Sequence, residues 1–150
     1  MGQPAQETIR IGQLELHFFM TGKETGNALD MFEMIVPPRA KVPGAHYHVE
    51  ADEAVYGLEG VLTYTIDGVK CEIGPGDRVF APKGKVHHFV NNGTISARVL
   101  TVLTPATIGP KYFREIGAVV NSAGGPPDPE KIRAVMAKHG LVAAAMPELV

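Results

Sequence analysis

The chain predicts an all-β fold, a sandwich or barrel of short strands with a helical extension at its C-terminal end. Three observations carry this. Short apolar or alternating runs recur from residue 9 to residue 103, each closed by a Gly, Pro, Asn or Asp cluster. Seventeen Gly and twelve Pro in 150 residues supply the many tight turns such a chain needs. After Pro105 the apolar period changes from that of a strand to that of a helix.

Taken in order, Ile9 to Phe19 alternates loosely and reads as one or two strands, after a polar start at residues 1–7. Residues 21–27 form a turn cluster. Leu29 to Val36 reads as a strand stopped by Pro37-Pro38. The next runs are 53–58, 61–66, 69–73, 78–81, 86–90 and 97–103, and Asp67-Gly68 between the second and third is a strong hairpin signal. Beyond Pro105, Pro110 opens a short helix with Tyr112, Phe113 and Ile116 at helical spacing. Asp128-Pro129 reads as N-cap and first residue of a second helix, and Gly140 as its stop. The expected division is a barrel over residues 1–105 and an appendage over 106–150 that packs on it.

Composition excludes several roles. The formal net charge is -2 and no Lys/Arg cluster stands out, which argues against a nucleic-acid partner. No apolar run reaches the roughly 18 residues of a membrane helix, so no membrane association is expected. Cys71 is the only cysteine, which rules out an internal disulfide and makes a reducing, cytoplasmic setting the expectation.

The chemistry concentrates in four residues. His46 and His48 lie two apart on a strand-like stretch, so both imidazoles project to one face while Tyr47 faces away. Glu53 follows after a short turn, and His87 follows the Pro82-Gly84 turn on a separate strand. Three imidazoles and a carboxylate suit one divalent transition metal (Fe, Mn, Ni, Co or Zn) better than magnesium or calcium. An octahedral ion would keep two positions free, which marks a catalytic rather than a structural site. Met34, Leu62, Tyr64 and Phe89 are candidate walls of a substrate pocket, with Tyr64 able to hydrogen-bond a bound oxygen ligand. His88 alternates to the outside, and Glu50, Asp52 and Arg98 read as solvent-facing charges.

These positions resemble the two motifs of the cupin family. His46, His48, Glu53 and Gly60 match the first motif, and Gly76, Pro82, Gly84, His87 and Asn91 match the second. One departure is Ala40, where the first motif usually opens with Gly. The motif-bearing core spans residues 30–105, with a spacer between the motifs as short as in small microbial cupins. The resemblance implies a double-stranded β-helix (jelly roll) with the metal inside, often as a homodimer. The helical tail is similar to small cupins described as quercetin-dioxygenase-like. That implies a mononuclear metal-dependent dioxygenase acting on a small enolisable or aromatic substrate, with Glu53 either staying bound to the metal or leaving it to act as catalytic base. The residues leave open a redox-neutral isomerase or decarboxylase, and a cupin that binds a small ligand without turning it over.

Overall fold

The computed structural model describes residues 2–145. Strands β1 (Glu7–Ile11), β2 (Leu14–Met20), β3 (Asp30–Val36), β4 (His46–His48), β5 (Asp52–Glu59), β6 (Leu62–Ile66), β7 (Val69–Ile73), β8 (Arg78–Ala81), β9 (His87–Val90) and β10 (Ala97–Thr104) follow the runs read from the sequence. With β11 (Leu141–Ala143) they form two sheets, in the orders β1-β2-β3-β10-β5-β8 and β11-β4-β9-β6-β7. Every pairing is antiparallel. The inward side chains of both sheets make one core, with Phe18, Leu16, Val36, Leu62, Tyr64, Val99 and Leu103 almost fully buried.

Local chemistry fixes the corners. Asp67 and Gly68 both take positive φ, as the tight β6–β7 hairpin requires. Gly57, inside β5, passes so close to the Gly74 turn that a Cβ there would lie 2.0 Å from the Gly74 carbonyl oxygen. No side chain fits, so glycine alone lets β5 run beside that turn.

The extension holds two helices, α2 (Pro110–Ser122) and α3 (Pro129–Lys138). Asp128 Oδ1 accepts from the Glu130 amide at 2.9 Å, so the expected N-cap forms. Helix α2 runs well past Ile116 because Asn121 clamps its far end to the barrel. The Asn121 side chain donates to the Arg10 carbonyl and accepts from the Gly12 amide, both at 2.8 Å. Gly117 lets the helix approach the Arg10 backbone closely. Phe113 joins Phe18 and Phe32 in a cluster with centroids 4.9–5.7 Å apart. Glu115 links the helices by accepting from Lys138 Nζ at 2.8 Å and His139 Nε2 at 2.7 Å.

Two elements were not expected from the sequence. Residues Gly22–Thr25 form one turn of helix, α1, because Glu24 reaches back to the Thr21 amide at 2.9 Å. Strand β11 follows Gly140 and joins the five-stranded sheet beside β4, pairing Leu141 with His48 and Ala143 with His46. The tail therefore contributes a strand to the barrel as well as helices against it. Among the described residues no helix is long and apolar enough to cross a membrane.

Candidate metal centre and the cavity around it

Strands β4 and β9 lie side by side, with His46 opposite His87. Alternation on β4 turns His46 and His48 inward, both buried. The ring nitrogens of His46, His48 and His87 lie within 4.8 Å of one another, close enough to share one ion. Glu53 enters from β5, on the opposite sheet. Its Oε2 lies 3.0 Å from His87 Nε2 and accepts from the Tyr64 hydroxyl at 2.9 Å. The expected ligands are thus brought to one place, with the carboxylate held on the His87 side.

The donor set fits a divalent metal. His46 Nδ1 donates to the Gly44 carbonyl at 2.8 Å and His87 Nδ1 to the Lys85 carbonyl at 3.2 Å, which aims each Nε2 inward. Burial pushes His46 down to about 4, helped by the neighbouring His87. Burial likewise pushes His48 down to about 4, against the opposing charge of Glu53. Both rings are therefore neutral at pH 7, with a lone pair to give. His48 Nδ1 is buried without a hydrogen-bond partner among the described residues. Burial alone would lower His87 as well, but the hydrogen bond and charge of Glu53 outweigh it and raise it. Burial works to raise Glu53, yet His87, with His48 and His46 behind it, holds the carboxyl well below the ordinary range. Each of the two groups thus favours the charged form of the other across their 3.0 Å contact, the place where a bound cation would act instead.

The cavity over these residues is small, about 50 Å³, and almost wholly apolar. Met34, Tyr64 and Phe89 line it as the alternation suggests. Leu62 does not. It shares the Tyr64 face of β6, but the register places Ile66 beside His87 and Tyr64 beside Phe89, so Leu62 falls beyond them into the core. Tyr112, Phe113 and Ile116 of α2 and Leu141 of β11 also line it. Helical spacing had marked the first three as a buried face, but nothing local in the sequence aims that face at the site. His88 turns away from the cavity, and Arg98 spans Glu33 and Glu59 at 3.0 Å each on the outer sheet surface.

Residues 32–103, which carry all four candidate ligands, match the family model for the cupin domain. The barrel has the cupin fold. Over 83 residues the chain is 29% identical to tetracenomycin polyketide synthase protein TcmJ of Streptomyces glaucescens, covering 55% of this chain and 56% of that protein. Over 88 residues it is 31% identical to quercetin 2,3-dioxygenase of Bacillus subtilis, covering 59% of this chain and 26% of that protein. The chain thus spans at most about half the length of these curated relatives. Among solved structures, the polyketide cyclase RemF of Streptomyces resistomycificus superposes with a TM-score of 0.56 at 25% identity, over 65% of this chain and 72% of that one. Helices α2 and α3 and strand β11 lie outside the matched cupin domain.

Proposed function

We propose that this cupin is a mononuclear metal-dependent dioxygenase of hydrophobic, enolisable or phenolic substrates. One observation carries the reading: an ionised, buried carboxylate and three imidazoles form the floor of an apolar, aromatic-walled cavity. No Lys or Arg lines that cavity among the described residues. A sugar phosphate or another multiply charged substrate would find no counter-charge there beyond the metal. The reacting oxygen of an enol or phenol suits this small space, and the apolar body of such a substrate would lie outside it.

His46, His48 and His87 would hold the metal, with Glu53 positioned to join them. A divalent metal there would supply the charge that stabilises an enolate and the redox centre that dioxygen chemistry needs. Glu53 takes the hydroxyl proton of the substrate, since its oxygen is ionised and lies beside the imidazole group. Tyr64 holds Glu53 in place through its hydroxyl, and the apolar walls exclude water. The resemblance to quercetin 2,3-dioxygenase supports this substrate chemistry. A cytoplasmic setting is proposed with it, in keeping with the single Cys71.

The test is oxygen uptake by protein reconstituted separately with Fe(II), Mn(II), Co(II) and Ni(II), offered flavonols, β-diketones and catechols. Uptake matched by product with both oxygen atoms incorporated is expected. Failure with every metal and substrate class overturns the dioxygenase reading. The likeness to two polyketide-related proteins favours a second reading, redox-neutral cyclisation with Glu53 removing the acidic C–H proton. Metal-dependent loss of a poly-β-ketone substrate under strict anaerobiosis would select it.

A further inference from the structure

The inner cavity, at about 50 Å³, holds little more than a water molecule or two. Sites for multi-ring organic ligands run from roughly 300 to 1,000 Å³. Directly outside it lies a groove of about 640 Å³, between the β1–β2 hairpin, residues 41–45 and helices α2 and α3. Ile11, Leu14, Pro43, Tyr112 and Ile116 line both spaces, so the two adjoin along these shared side chains.

The groove has a distinct chemistry. Its floor is apolar, built largely from Val42, Val120, Ile132 and Met136 together with the shared wall. Its charged lining residues are Lys41 and Arg133, one from the barrel side and one from α3. No Asp or Glu lines it among the described residues, and neither cation is in an ion pair among them.

We propose that this groove is an outer subsite for the distal part of an apolar, anionic substrate, with Lys41 and Arg133 recognising its carboxylate or equivalent anion. The proposal deepens the function proposed above and rests on it for the word substrate. It assigns the helical tail a role in specificity: the barrel supplies the reacting end of the site, and the tail supplies the half that reads the rest of the molecule. An apolar body packs on Ile132 and Met136, and its charge meets the two cations at the rim.

The probe is 8-anilinonaphthalene-1-sulfonate, an apolar aromatic anion, compared with its uncharged relative N-phenyl-1-naphthylamine. Fluorescence titrations use the full-length, metal-free protein. The wild-type protein should bind both dyes. The double variant Lys41→Ala/Arg133→Ala should weaken the sulfonate roughly three- to tenfold, as two exposed ion pairs allow, and leave the neutral dye within about twofold. Ile132→Asp should weaken both. Arg78→Ala, on a different apolar face, should weaken neither. The subsite is overturned if the sulfonate fails to bind wild type, if the double variant binds it unchanged, if both dyes weaken equally there, if Ile132→Asp leaves the neutral dye unaffected, or if Arg78→Ala weakens the sulfonate as much. Because no turnover is measured, absent oxygen uptake would remove the proposed reaction and leave this result standing.

Discussion

Tyr64→Phe removes a single hydroxyl from the interior and leaves the ring in place. Tyr64 is 1% exposed, and its hydroxyl donates to Glu53 Oε2 at 2.9 Å. Glu53 is itself buried and ionised, so the bond is charge-assisted. Such bonds contribute about 1.5–3 kcal/mol. A loss near the middle of that range, about 2 kcal/mol, is expected for the metal-free protein. With an m-value of about 2 kcal/mol/M, the urea midpoint should fall by roughly 1 M. Glu53→Gln keeps an acceptor but removes the charge. The double variant should then cost less than the sum of the single ones, with a coupling of about 1–2 kcal/mol. If Tyr64→Phe changes stability by less than about 0.5 kcal/mol, or if the two substitutions add, the hydroxyl does not hold the carboxylate and the reasoning about Glu53 fails.

Other outcomes follow from the same structure. His46→Ala should abolish most divalent-metal binding in a calorimetric titration while far-UV circular dichroism stays unchanged, and full retention of metal would refute its role as a ligand. Metal-free protein should lose stability as pH falls from 6.5 towards 4. The unfolded chain takes up protons at His46 and His48 in that window and the folded chain does not, although the raised His87 offsets part of the loss. A net drop of about 3–5 kcal/mol between pH 7 and 4.5 is expected in urea titrations, and a flat profile would contradict the burial of neutral imidazoles. Gly57→Ala should cost roughly 3 kcal/mol or more, seen as a fall in Tm of about 6–12 °C or as insoluble protein, because a Cβ would strike the Gly74 carbonyl. A homodimer is proposed through the outer face of the six-stranded sheet, where Tyr56 is 46% and Phe80 56% exposed. Light scattering should report twice the chain mass, and Phe80→Glu should halve it; a monomeric wild type rejects the proposal.

The four candidate ligands were legible because their positions depend on local geometry. A two-residue step on a strand sends His46 and His48 to one side, and a short turn returns Glu53. Strand register was less accessible. Leu62 and Tyr64 have the same facing, but only the pairing of β6 with β9 shows that one reaches the cavity and the other does not. The tail was legible as helix from Asp128-Pro129 and Gly140, yet its destination was not. Strand β11 is three residues long with no distinctive pattern, and its place is fixed by an open edge on β4 far back in the chain. Likewise Thr21 and Glu24 carried a helix-start signal that the surrounding Gly and Asn masked.

The pairing of β4 with β11 also bears on the order in which the protein is made. Strand β4 has one ladder pair with β9, and its other edge is filled by residues 141–143. While those residues are still being synthesised, the rest of the barrel can fold but leaves the strand that bears His46 and His48 with bare amides and carbonyls. Unpaired edges of this kind recruit strands from other chains. A nascent molecule is therefore exposed to mispairing at its candidate metal centre until β11 docks. A stalled or prematurely released chain should aggregate through that edge rather than persist as a shortened, working barrel.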